Sequence, residues 1–88
     1  MEKPIVRLEN WTVLDSSLNY GDLGPGNRLA GNAFGHADVD PGGFIYTSPI
    51  LRVNEQLIET RNTVYELGES SDVYKTWKRK QNLERVAA

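Results

Sequence analysis

His36-Ala37-Asp38-Val39-Asp40 places an imidazole and two carboxylates at every second residue. In extended backbone those three side chains share one face. Together they form a donor set suited to a divalent metal. The same composition also makes an ordinary turn, because aspartates hydrogen-bond their own backbone and Asp40-Pro41-Gly42-Gly43 supplies the proline and glycine that turns use. A metal centre would need a fourth ligand and partners behind the ligands. The chain has no cysteine to supply a thiolate. His36, Asp38 and Asp40 are therefore the metal candidates, with a solvated turn as the competing reading. No cofactor is implied.

The remaining chemistry is thin. His36 is the sole histidine, and a nucleophilic triad would have to form around it with Ser16, Ser17, Ser48, Ser70 or Ser71. No Gly-x-Ser-x-Gly elbow occurs. The run Gly21-Asp22-Leu23-Gly24-Pro25-Gly26-Asn27-Arg28 is glycine-rich, but Asp22 would repel phosphate, Pro25 lacks an N–H, and no lysine follows. These features point away from catalysis. A different chemistry sits near the end of the chain, in Lys75-Thr76-Trp77-Lys78-Arg79-Lys80. Basic residues around an indole can bind phosphates while the ring stacks. Alternatively Trp77 packs a helix onto a sheet while the charges face water. Lys75, Trp77, Lys78, Arg79 and Lys80 are the candidate partner-binding residues.

Charge gives this tail its context. The net charge is −2, but residues 1–71 carry five basic and ten acidic side chains, whereas residues 72–88 carry five basic and two acidic. A basic tail on an acidic body implies docking on the body itself, on a second copy, or on an acidic partner. It also blunts attraction to nucleic acid. Eighty-eight residues make one small domain with a modest core. The opening Met1-Glu2-Lys3-Pro4 has no basic and apolar signal-peptide regions, and no apolar run spans a bilayer. A soluble cytoplasmic protein without membrane contact is expected.

The elements that would position these groups are mostly strands. Ile5–Leu14 alternates apolar and polar residues, and its phase slips near Asn10, which predicts a bulge. Residues 15–27 read as a loop, residues 28–35 as a short strand, and residues 36–43 as a polar turn. Residues 43–53 and 57–68 are rich in Thr, Val, Ile, Tyr and Phe, and predict a long hairpin with its tip at Asn54-Glu55-Gln56. Pro49 requires an edge or a bulge. Ser70 or Ser71 can cap a helix over residues 72–88, with Val73, Tyr74 and Trp77 on one face and a basic end that frays toward Ala87-Ala88.

Several strings along the chain form a pattern: Gly35-His36, Pro41-Gly42-Gly43, Thr47-Ser48, Thr60-Arg61-Asn62 and Val64-Tyr65-x-Leu67-Gly68. Over roughly residues 29–77 it resembles small β-rich proteins of bacteriophages and mobile elements, including integron gene cassettes, whose function is unassigned. The resemblance implies a compact β-rich bacterial protein and brings no site residues with it.

The expected fold is α+β and mainly β, in one domain spanning residues 1–88. A small twisted antiparallel sheet, or a partly closed barrel, carries one C-terminal helix. The expected core is Val6, Leu8, Val13, Leu29, Phe44, Tyr46, Leu51, Val53, Ile58, Val64, Tyr65, Leu67, Val73 and Trp77. Apolar residues fall on both faces of the predicted hairpin, and one helix cannot cover both. Either the sheet folds over on itself or a second copy covers the remainder, which predicts a two-fold homodimer. The expected function is a non-catalytic protein-interaction or self-assembling module of a mobile element or phage. The alternatives are nucleic-acid binding through the basic helix and small-molecule or metal binding around His36.

Overall fold

At Asn10 the first strand changes phase. The computed structural model describes residues 2–87, with side chains through residue 84. Strand β1 (Ile5–Leu14) pairs antiparallel with β2 (Arg28–Phe34), and the register slips between Glu9 and Thr12. Asn10 and Trp11 face the single residue Gly31, and Asn10 takes the left-handed conformation (φ 52°) that asparagine tolerates. The slip turns Val6 and Leu8 before it, and Val13 after it, onto the same buried side. Gly31 is required there. A Cβ on it would lie 2.9 Å from the Glu9 carbonyl oxygen and 3.0 Å from the Trp11 Cα.

Four further strands complete the sheet: β3 (Gly43–Tyr46), β4 (Arg52–Asn54), β5 (Leu57–Glu59) and β6 (Val64–Leu67). Their order is β3-β2-β1-β6-β5-β4. The α+β, mainly β class expected from the sequence is observed. The sheet is mixed rather than wholly antiparallel, because β1 and β6 run parallel, Ile5 beside Val64 and Leu8 beside Leu67.

The long hairpin is not formed as expected. Residues 43–46 pair with β2 instead, and only the three-residue strands β4 and β5 face each other. Their two-residue turn is Glu55-Gln56, with Glu55 at φ 55°. The cause is a corner after Pro49. Ile50 still bonds the approach to β2, its N–H reaching the Asn27 carbonyl at 2.7 Å and its carbonyl accepting from Gly26 at 2.9 Å. The next N–H, that of Leu51, bonds the Glu59 carbonyl of β5 at 2.8 Å. Proline, which cannot donate a ladder bond, stands beside the switch.

This corner forces the sheet to coil. Six flat strands would hold β3 and β4 about 24 Å apart. The chain from Tyr46 to Arg52 spans at most about 20 Å. The sheet therefore wraps around its own inner face without closing into a hydrogen-bonded cylinder. Val6, Leu8, Val13, Leu29, Ile50 and Ile58 are the fully buried interior, joined by Ala33, Tyr65, Leu67 and Tyr74. Burying each such aliphatic side chain contributes about 1.5–3 kcal/mol.

Five of the expected core residues lie outside it, Val64 among them because it is half-buried on the outer side of β6. Phe44, Tyr46, Leu51 and Val73 are exposed, and Ile45, Ile50 and Tyr74 turn inward in their place. Ile45 faces the core because, opposite Gly31, it shares the inward side of β2 with Leu29 and Ala33.

Helix α1 (Asp72–Ala87) begins at Ser71, whose Oγ accepts the Tyr74 N–H at 3.1 Å and whose carbonyl accepts the Lys75 N–H at 2.9 Å. Asp72 lies favourably in the first turn. Tyr74 and Trp77 pack against Trp11, Tyr20 and each other, with ring centroids 5.4–6.1 Å apart. The expected fraying toward Ala87-Ala88 falls on Ala88 and on side chains beyond residue 84, which lie outside the described residues. Among the described residues no helix is long and apolar enough to cross a membrane.

Candidate functional site

His36, Asp38 and Asp40 do not converge. Residues 36–42 fold as turns, so the alternation that would align three ligands on one face is lost. The Asp38 N–H donates to His36 Nδ1 at 3.1 Å, the Val39 N–H to the His36 carbonyl at 3.4 Å, and the Gly43 N–H to the Asp40 carbonyl at 2.9 Å. Among the described residues no three histidine or carboxylate side chains gather as a metal site. His36 and Asp38 instead line a cleft of about 470 Å³ with Thr47, Thr60, Asn62 and Thr63. Its buried hydroxyls are already engaged. Thr47 Oγ1 accepts the Leu29 N–H at 3.0 Å, and Thr60 Oγ1 donates to the Thr63 carbonyl at 2.9 Å.

The basic tail divides. Lys75 bonds Glu69 Oε2 at 2.7 Å, and Lys78 pairs with Asp22. Both therefore dock on the acidic body. Lys75, Lys78 and Arg79 border a shallow groove of about 600 Å³ beside Trp11. Trp77 is half-buried among Tyr20 and Tyr74, and Lys80 is exposed. Beneath the helix, the Tyr74 hydroxyl donates to the Gly21 carbonyl at 2.8 Å, and Trp11 Nε1 donates to the Gly68 carbonyl at 3.0 Å. Burial first, then the Asp22 charge, pushes the Tyr74 phenol up to about 12. The aromatic cluster under α1 is thus a structural seam.

The outer face of the sheet holds a different arrangement. On β2 and β3 it presents Ala30, Phe34, Phe44 and Tyr46, with Phe44 and Tyr46 in an edge-to-face pair 5.2 Å apart. They are 56% and 65% exposed. A groove of about 1170 Å³ runs past them, walled also by Leu14, Leu18, Ala30 and Val73.

Leu18 stands out within that groove. It is 71% exposed and left-handed at φ 65°, a conformation costing an ordinary side chain about 1–2 kcal/mol. Asp15 builds the loop that holds it. Asp15 Oδ1 accepts the N–H groups of Ser17 and Asn19 at 2.8 and 3.1 Å, and its carbonyl accepts the Leu18 N–H at 3.0 Å. The loop thus holds an apolar side chain in water at a cost in backbone strain.

Sequence reasoning placed Phe44, Tyr46 and Val73 in the core and took Leu18, with Tyr20 and Leu23, as a residue pinning its loop down, whereas Leu18 is exposed. One signal was available. Leu29 and Ala33 flank Gly31 on the inward face of β2, and the β3 residue opposite Gly31 points the same way. The phase of β3 follows, but only once the pairing of β3 with β2 is known. No family model, no curated protein and no solved structure matches this chain.

Proposed function

We propose that the protein is a non-catalytic interaction module that self-associates as a two-fold homodimer through the β3 edge and the aromatic outer face beside it. The observation carrying this is the exposed Phe44–Tyr46 pair beside a groove walled by Leu14, Leu18, Ala30 and Val73. The core cluster forms without Phe44, Tyr46, Leu18 and Val73, so folding of one copy leaves these four exposed. Aromatic side chains exposed together in a groove are the usual anchors of an interface. The mobile-element or phage setting, suggested by the strings quoted above, is the biological context we attach to the module. Nucleic-acid binding through α1 is the weaker reading, because Lys75 and Lys78 are paired with Glu69 and Asp22.

Size-exclusion chromatography with light scattering at micromolar concentration tests the reading. A mass of two chains is expected. A single-chain mass at that concentration removes it, and a monomer that retains a different protein from solution would reassign the groove to that partner.

A further inference from the structure

The backbone of β3 extends the self-association just proposed and rests on it. Hydrogen bonds alternate along an antiparallel strand, one residue bonding its neighbour strand and the next facing away. The Thr47 N–H bonds the Leu29 carbonyl at 2.9 Å, which fixes the phase. Ile45, opposite Gly31, bonds toward β2 in the same phase. The N–H and C=O groups of Phe44 and Tyr46 therefore point away from the sheet. β3 ends the strand order. Among the described residues, no backbone bond outside the β2–β3 ladder uses those groups.

Open edges are usually blunted by charge, proline, or extreme shortness. The opposite edge is blunted in this way. β4 has three residues and carries Arg52, which reaches Glu59 at 3.7 Å, and polar Asn54. β3 is Gly-Phe-Ile-Tyr, without charge or proline.

We propose that two copies join edge to edge through β3, antiparallel about a two-fold axis at Ile45. Phe44 then lies opposite Tyr46 of the second copy, and Tyr46 opposite its Phe44. Each of these pairs exchanges both backbone bonds. Aromatic-x-aromatic maps onto itself under the two-fold. The outer face thus acquires a four-ring cluster built from two copies of the existing edge-to-face pair, and no like charges meet across the strand. Ile45 faces its own copy in the non-hydrogen-bonded position, with Cα atoms about 4.5 Å apart.

The chain has no cysteine, so Ile45→Cys introduces the only thiol. That separation lies within disulfide reach. Mild oxidation is expected to give a covalent dimer on a non-reducing gel, whereas Leu57→Cys, on β5, does not cross-link. In the unaltered protein, hydrogen exchange at the Phe44 and Tyr46 amides is expected to slow at least tenfold between dilute and concentrated samples. A dimeric mass with neither the cross-link nor the protection overturns β3 pairing while leaving self-association intact. A monomeric mass overturns both.

Discussion

The outer face of the sheet has two halves built on one core, and they are finished differently. Across β1, β6, β5 and β4 it is laced with charge. Arg7 Nε meets Glu9 Oε2 at 2.7 Å and Arg7 also reaches Glu66 at 3.5 Å, while Lys3 meets Glu59 at 2.7 Å and Arg52 approaches the same carboxylate. Across β2 and β3 the same face carries Phe34, Phe44 and Tyr46 and is bordered by Leu18. Exposed ion pairs contribute little stability. Their effect is to keep one half wetted and unreceptive. The groove beside Phe44 and Tyr46 is the less charged surface, with Asp15 and Arg28 the charged residues on its wall.

The comparison requires that both halves stand on the same interior, and the largest effect tests that. Leu8→Ala removes a fully buried side chain and is expected to cost about 3 kcal/mol in denaturant unfolding. Every spectroscopic probe should lose structure together. Separate transitions for the two halves would break the premise of a shared core.

The next effect separates stability from association. Replacing Phe44 and Tyr46 together by serine is expected to weaken the dimer by about 2 kcal/mol, roughly thirtyfold in Kd. The melting temperature of the dilute monomer should hardly move. Analytical ultracentrifugation reads the first quantity and calorimetry the second. An equal loss in both would mean that the rings support the fold.

Leu18→Asn sharpens the contrast with opposite signs. Asparagine tolerates the left-handed conformation, so the monomer is expected to gain about 1 kcal/mol. The dimer should weaken, because the groove loses an apolar wall. A urea titration showing no gain would mean that Leu18 is unstrained.

The smallest effect lies in the charged half and appears only in acid. The Glu69 N–H, at 2.8 Å, and then Arg7 hold the Glu9 carboxyl below the ordinary carboxylate range. A depressed folded-state value gives stability that is present above the unfolded-state value and is lost as pH falls through the folded one. Glu9→Gln should flatten that acid limb below about pH 4, while dimer affinity stays unchanged. Urea midpoints at neutral pH and at pH 3 would decide it, and a curve parallel to the parent protein would refute the assignment.

Local chemistry was legible in the residues. The phase slip at Asn10, the cap at Ser71 and the position of β1 could all be read from short windows, because a bulge, a cap and an alternation each concern only a few neighbours. Pairing was not legible. Whether residues 43–46 join β2 or the following run depends on where the chain turns its corner. Pro49 announced a break without naming the new partner. From that one ambiguity followed the wrong facing of Phe44, Tyr46 and Leu51, since a strand's inward side is fixed only by what lies across from it. The parallel contact of β1 with β6 was hidden for the same reason. The strings Pro41-Gly42-Gly43 and Thr60-Arg61-Asn62 prove to be a turn and a bend, and Thr47-Ser48 lies in the irregular stretch after β3. They describe how the chain is routed, and Thr47, Ser48, Thr60 and Asn62 meet on the wall of the cleft beside His36. The groove was the least visible feature, because it joins residues from β1, the loop after it, β2, β3 and α1.

The parallel contact between β1 and β6 also sets a timetable. β1 lies between β2 and β6, so the first strand to be made waits, with one flank unpaired, until residue 64 and its neighbours have been synthesised. Until then the nascent chain can form the β1–β2–β3 meander and the β4–β5 hairpin, but not the β6 strand that joins them. Such late, long-range pairing slows folding and leaves the half-made sheet open to clumping. The order of manufacture places that hazard at the centre of the sheet, where the finished protein is most tightly built.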